Sequence, residues 1–248
     1  MDFEGRVAAV VGGTSGIGEA AVMGFVRSGA SVVVGGRDRR RGEEIVAAVE
    51  ALGGEAAFLP IDVTVSESVR QFVDAAETLY GGIDCVFNVA GQESVPAPVH
   101  EIAEDDWHRL IDVRLTGVLR CLKYEIPALR RRGGGSIVNM AGDWGLYGVA
   151  NFGAACAVIH GVLGLTRAAA KDYAALGIRV NAVCPGAVGT PMLERMADER
   201  GIDSNDFAAH LAVGRVARPE EVVEAVLWLA SSSASYVSGE SLVLNGGG

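Results

Sequence analysis

The 248-residue sequence predicts an α/β fold: a single doubly wound, parallel, seven-stranded sheet with helices on both faces. Three observations carry that expectation. Short apolar, β-branched runs recur along the whole chain and alternate with longer helical stretches. Most of those runs are almost continuously apolar, as parallel strands covered on both faces require. No polar linker, internal repeat or low-complexity tract divides the chain, so residues 1–248 read as one domain.

The elements come in a regular order. The run Val7–Val11 enters a glycine-rich turn and then a helical stretch, Gly18–Ser28. Ser31–Val34 is followed by helical Arg41–Leu52, and Ala56–Leu59 by Glu67–Leu79. Ile83–Phe87 precedes a helical region near 105–131, where Trp107, Leu110, Leu115 and Leu119 mark an apolar face. After Ser136–Asn139 comes 151–175, small and apolar almost all round, so that both faces should be buried, one on the sheet and one on another subunit. Ile178–Val183 precedes an insertion at 190–213, placed after a strand's carboxyl end, where open α/β sheets bind ligands. Helical Glu220–Ala230 and a last strand, Leu242–Leu244, complete the pattern.

Bulk composition narrows the partners. Half the residues are apolar, enough for a large core, while the net charge of -10 gives no general attraction for nucleic acid or anionic lipid. Gly, Arg or Asp interrupts the longest apolar stretches, so no membrane span is expected. The start, Met1 to Arg6, has no basic region leading into an apolar one, so no signal peptide is expected and the cytoplasm is the default location. Cys85, Cys121, Cys156 and Cys184 are widely spaced, with no CxxC pair and no His at ligand spacing. They read as buried thiols of a reducing compartment, without disulfide or metal.

Val7–Val11 runs straight into Gly12-Gly13-Thr14-Ser15-Gly16-Ile17-Gly18 and then a helix. Glycines there permit a tight turn and let backbone N–H groups approach a pyrophosphate at the helix N-terminus. At the end of the second strand, where an acidic residue would hold the 2′-hydroxyl of NAD, the chain has Gly36 followed by Arg37, Arg39, Arg40 and Arg41. A 2′-phosphate is tolerated by that set, so NADP is preferred over NAD if a nucleotide binds at all. A solvated arginine loop is the alternative reading.

The glycine-rich loop resembles the fingerprint of the short-chain dehydrogenase/reductase family, a Rossmann-type group, with Val11 at its Thr position. Asp62-Val63 resembles the family's adenine-side pair, and Asn88-Val89-Ala90-Gly91 its Asn-Asn-Ala-Gly with the second Asn replaced. Arg179-Val180-Asn181, Pro185-Gly186 and Thr190 resemble the segment bordering the nicotinamide, and Gly239 to Gly247 the last strand. The resemblance implies NAD(P) held by Gly12, Ser15, Ile17, Gly18, Arg37, Asp62, Val63, Asn88, Gly91, Pro185, Gly186 and Thr190.

The family's chemistry uses a Tyr acid/base, a Lys four residues later that lowers the phenol pKa, a Ser thirteen residues before the Tyr, and an Asn on the preceding long helix. The stretch His160 to Arg167 resembles the family segment directly after that Lys, which puts Ile159 at the Lys position and Ala155 at the Tyr position. Gly135 to Ala141 resembles the approach to the Ser, which falls on Gly142, in agreement with the spacing to 155. The Asn position, within Asp112 to Gly117, holds Arg114. None of these side chains can exchange a proton as its counterpart does. Asp143 and Tyr147 are the candidates for relocated acid/base groups, and His160 lies nearby. The plain expectations are that Tyr147 and Trp144 fill vacated space and that Arg114 pairs with Asp143 in a structural salt bridge.

The resemblance thus implies a catalytically inactive subunit that pairs with an active family sibling through the helices near 105–131 and 151–175. Heteromeric members of the family combine an active and a degenerate subunit, as does the enzyme acting on a 2-(hydroxybenzyl)succinyl-CoA thioester in anaerobic toluene degradation. By that analogy the pair is a hydroxyacyl-type dehydrogenase, with an aromatic CoA thioester as its model substrate. Two other readings stay open: a repurposed oxidoreductase, isomerase or cyclase using Asp143 and Tyr147, and a non-catalytic regulator that binds NADP(H).

Overall fold

The computed structural model describes residues 3–209 and 211–248; Met1 and Asp2, at the start of the segment read for a signal peptide, and position 210 of the insertion lie outside them. Seven strands form one parallel sheet in the order β3-β2-β1-β4-β5-β6-β7. They are β1 (Val7–Val11), β2 (Ser31–Gly36), β3 (Ala56–Pro60), β4 (Cys85–Asn88), β5 (Gly135–Met140), β6 (Ile178–Pro185) and β7 (Ser241–Leu244). The helices are α1 (Gly16–Arg27), α2 (Arg39–Ala51), α3 (Ser66–Tyr80), α4 (Glu104–Leu110), α5 (Gly117–Arg132), α6 (Gly153–Tyr173), α7 (Pro191–Asp198) and α8 (Pro219–Ala230).

The two-residue period of a strand divides the core between the two faces of the sheet. Val7, Ala9 and Val11 of β1 join one cluster with Phe72 of α3, Leu129 of α5 and Ile159 of α6. Ala8 and Val10 join the other with Phe25 of α1, Ile45 of α2 and Val226 of α8. Every residue of β1 is buried, which is why the run reads as continuously apolar. Strand order reverses between β1 and β4, whose registers meet at Val11 and Asn88. That switch point opens the crevice that holds the site.

Local chemistry sets several element ends. The Asp38 side chain accepts from Arg41 N at 3.1 Å to cap α2. Thr190 caps α7 the same way, with Pro191 opening its first turn. Gly81 ends α3 in the left-handed region, φ +74°.

Three differences from the sequence expectation have physical causes. The helical region near 105–131 is interrupted by a π-helical turn, Ile111–Thr116, between α4 and α5. The Asp112 carbonyl at that turn accepts from Arg120 Nη1 at 3.3 Å. The insertion at 190–213 contains α7 and a 3₁₀ turn, Ser204–Ala208, instead of plain loop. Finally, Gly153–Leu176 is long and apolar enough to cross a membrane by composition, contrary to the expectation, although it packs on β6 as a core helix does. Of the apolar face expected near 105–131, Leu110 is buried and Trp107 and Leu115 pack on the core, leaving only Leu119 well exposed.

Candidate functional site

A cleft of about 550 Å³ lies over the carboxyl ends of β1, β4, β5 and β6, closed on one side by α7 and the turn after it. Its size and mixed lining suit a dinucleotide and a small molecule together. At one end the turn from β1 to α1 supplies Gly12, Ser15, Ile17 and Gly18. Gly12 has φ +99°, and a Cβ there would stand 2.6 Å from the backbone N of Ala90. A Cβ on Gly18 would strike the Gly12 carbonyl. Ser15 occupies the N-cap position of α1, yet its hydroxyl makes no capping bond. The first amides of α1 therefore remain open to an anion at the helix's positive end. These features fit a pyrophosphate.

Gly36 and Arg37 border the same end. The direction in which Gly36 would carry a side chain is taken by the Thr14 side chain, which would have to shift for an acidic residue to stand there. Arg37 is exposed, whereas the other arginines of the turn are engaged: Arg39 with Glu43, Arg40 with Glu44, and Arg41 with both Glu44 and Glu19 at 2.8 Å. Arg39 and Arg40 are exposed on the first turn of α2, which leaves Arg37 as the arginine of this turn that borders the cleft. Across the cleft, Asp62 Oδ1 accepts from the Thr64 hydroxyl at 2.7 Å and the Thr64 amide at 2.9 Å. Those bonds, the hydroxyl's above all, hold the Asp62 carboxyl below its ordinary pKa.

Of the residues that the family resemblance assigns to the nucleotide, Asn88 alone does not line the cleft. It is buried, and its amide donates to Glu125 Oε2 at 3.0 Å and Asn139 Oδ1 at 3.1 Å. Asn139 in turn donates to Thr166 at 3.0 Å. The next stretch of backbone, Val89 to Gly91, does face the cleft.

The other end is where β5, the π-helical turn and α6 converge, and there Arg114, Gly142, Ala155 and Ile159 meet. Ala155 and Ile159 are buried on α6. Gly142 follows β5 with φ +151°, a value reserved for glycine, and a Cβ there would touch Ile159 Cδ1 at 3.4 Å. Ile159 also fills the space over Gly145, where a Cβ would lie 2.7 Å from its Cγ2. Ile159 is therefore the space-filler of this region. Tyr147, expected to fill that space, is instead 42% exposed at the cleft rim, and Trp144 stacks on Phe152 with ring centroids 4.6 Å apart.

The expected Arg114–Asp143 salt bridge does not form. Buried Asp143 accepts from the Tyr147 hydroxyl at 2.6 Å, while Arg114 Nη2 reaches only the Ala141 carbonyl at 3.4 Å. Desolvation lowers the Arg114 pKa. Burial, and next the bond to the Asp143 carboxylate, push the Tyr147 phenol well above its usual range. His160 lies on the exposed side of α6, bonded through Nδ1 to the Cys156 carbonyl at 2.8 Å, away from the cleft.

Some of the site had no sequence signal. Arg195 of α7 pairs with Glu93 at 2.6 Å across the rim, although 102 residues separate them. Arg200 sits over the rings of Phe152 and Phe207, at 5.1 and 5.2 Å. Among the described residues no group of three His, Cys, Asp or Glu is placed to hold a metal, and all four cysteines are free and buried.

A doubly wound sheet with this crevice and this glycine turn defines a dinucleotide-fold oxidoreductase architecture. The family model described as enoyl-(acyl carrier protein) reductase matches residues 11–248, and the chain belongs to the short-chain dehydrogenase/reductase family. It is 41% identical to a 2,5-dichloro-2,5-cyclohexadiene-1,4-diol dehydrogenase of Sphingobium indicum, over 99% of this chain and 98% of that one. It is 42% identical to a cis-4-hydroxycyclohexanecarboxylate dehydrogenase of Sinomonas cyclohexanicum, over 99% and 97%. The cyclohexanol dehydrogenase of an Acinetobacter species is 36% identical, over 98% and 95%. The solved levodione reductase superposes with a TM-score of 0.94 at 31% identity, covering 99% of this chain and 98% of that one.

Proposed function

We propose that this chain is a non-catalytic subunit of short-chain dehydrogenase/reductase type that keeps the nucleotide cleft and works beside an active sibling of the same fold. One observation supports the reading: Arg114, Gly142, Ala155 and Ile159, the positions that the motif resemblance aligns with the family's proton-transfer groups, line the same cleft. Three of them carry no polar side-chain atom, and a guanidinium accepts no proton. A nicotinamide dinucleotide, where one is bound, supplies hydride-transfer chemistry. This chain's own residues would hold it through the Gly12–Gly18 turn, Asp62 and Arg37, with NADP favoured over NAD because position 36 carries no carboxylate and Arg37 is exposed beside it.

The same reading makes α5 and α6 the faces that meet the sibling. The outer side of α6 presents Ala157, Gly164 and Ala168, small residues that allow close approach. Cyclic alcohols are the substrate class suggested for the pair by the names of three relatives. No cleft residue speaks for a CoA thioester. Four buried free thiols suit a reducing cytoplasm.

The runner-up is chemistry relocated to Asp143 and Tyr147, favoured by their 2.6 Å bond at the rim. Its weakness is electrostatic. A neighbouring Lys lowers a phenol's pKa, whereas the carboxylate beside Tyr147 raises it.

Calorimetry with NADP(H) and NAD(H), together with turnover of cyclohexanol, tests both readings on the chain alone and with a sibling encoded beside it. Turnover should appear only with the sibling. Turnover by the isolated chain that disappears in Tyr147→Phe or Asp143→Asn would overturn the proposal in favour of relocated chemistry. Tight nucleotide binding with no sibling association would leave a nucleotide-sensing regulator.

A further inference from the structure

The most unusual group in the cleft is Arg114. It is a partly buried cation on a π-helical turn, lining the wall beside Gly91, where a Cβ would lie 3.6 Å from its Nε. Five N–H donors need acceptors, and the described residues give it one, the Ala141 carbonyl at 3.4 Å. The cleft's carboxylates do not serve it. Asp143 is bonded to Tyr147, Glu93 to Arg195, and Asp62 to Thr64. A desolvated charge without a partner is costly, and a ligand anion is the means of compensating it. A π-turn is also a frequent device for projecting a side chain into a functional site.

We propose that Arg114 is the anchor of a carboxylate-binding site, and that this cleft takes a small organic monocarboxylate with an apolar body. The chemistry on either side of Arg114 selects that class. A carboxylate matches the guanidinium fork with two parallel bonds. The cleft lining also contains apolar Ala155, Ile159, Trp144, Phe152, Met196 and Leu211. A dianionic phosphate would call for a second free cation in the lining; Arg195 there is already paired with Glu93, and Arg200, outside the lining, sits over the Phe152 and Phe207 rings. The proposal rests on the reading that this end of the cleft binds rather than reacts.

The test reads affinity, so it fails or stands separately from any measurement of turnover. The full chain is titrated calorimetrically with cyclohexanecarboxylate, the neutral cyclohexanecarboxamide and inorganic phosphate, each with and without NADP present. The expected result is saturable binding of the carboxylate in at least one condition, with the carboxamide at least about tenfold weaker. Arg114→Gln should remove that preference, weakening the carboxylate about tenfold or more while leaving the carboxamide unchanged, and Arg114→Lys should retain part of it. Should Arg114→Gln fail to fold, the carboxylate-to-carboxamide ratio of the unaltered chain and of Arg114→Lys decides the matter. Equal affinity for acid and amide, binding of neither, or equal loss of both in Arg114→Gln would overturn the proposal. Phosphate binding in preference to the carboxylate would also overturn it, assigning Arg114 to a nucleotide phosphate.

Discussion

Glu125 offers a quantitative test of how the polar network under the cleft is built. Its carboxyl lies inside α5 at 1% exposure, with Oε2 accepting from the Asn88 amide at 3.0 Å and the Cys121 thiol beside it. Burial raises its pKa from 4.5 to about 7, while the Asn88 amide and the Cys121 thiol oppose the shift. Between those two values the unfolded chain gives up the proton and the folded chain keeps it, so stability falls as pH rises through this window. Below about pH 4 both states are protonated and the group costs nothing; above about pH 8 the full difference is felt. At about 1.4 kcal/mol per pH unit, the difference amounts to about 3 kcal/mol. Glu125→Gln keeps an oxygen to accept from Asn88 and removes the titration. Urea unfolding of both proteins at about pH 4, 5, 6, 7 and 8 should therefore show the variant gaining about 3 kcal/mol on the parent across the range. Parallel stability profiles would refute the reasoning, since they would mean that Glu125 titrates alike folded and unfolded.

Three further substitutions probe the cleft. Gly142→Ser puts a side chain at φ +151° and should cost roughly 1–3 kcal/mol in unfolding experiments while creating no dehydrogenase activity. Gly12→Ala sets a methyl 2.6 Å from backbone at Ala90, so calorimetry should find nucleotide affinity reduced by at least about tenfold, with a lower melting temperature. Arg37→Gln should weaken NADP by about tenfold and leave NAD nearly unchanged, a tenfold change corresponding to about 1.4 kcal/mol; equal loss of both would mean that Arg37 does not read the 2′-phosphate.

The sheet was legible because its signal is local: each buried strand is an apolar run, and each helix advertises a face. Boundaries drifted where backbone pairing extends past the apolar run, as at Gly35-Gly36 of β2 and Cys184-Pro185 of β6. The convergence of Arg114, Gly142, Ala155 and Ile159 was also legible, through spacing and motif. Side-chain direction was not. Nothing in the sequence tells that Asn88 turns inward to Glu125 or that Asp143 takes the Tyr147 hydroxyl in preference to Arg114. Both choices depend on which partner the tertiary fold brings within about 3 Å. The π-helical turn escaped notice for a related reason: residues 105–131 keep an apolar helical pattern through it, and the extra residue shows only in the backbone.

Packing couples Gly142, Ala155 and Ile159, positions that the motif resemblance aligns with the family's proton-transfer groups. Ile159 closes the space above Gly142 and Gly145, so that the left-handed backbone at Gly142 and the bulk of Ile159 support one another. A Lys at 159 would leave that space partly empty and place an ammonium in a wall already carrying the uncompensated Arg114. A Ser at 142 would require the backbone to leave φ +151°. A Tyr at 155 would have to enter a position that is 1% exposed as Ala. Each such substitution is therefore unfavourable by itself, and all of them together would need a shift of the backbone after β5. Closely packed interiors change between discrete arrangements and do not deform continuously. Gly142, Ala155 and Ile159 are thus held by the packing around them, while the nucleotide turn, which shares none of these contacts, keeps its glycine geometry.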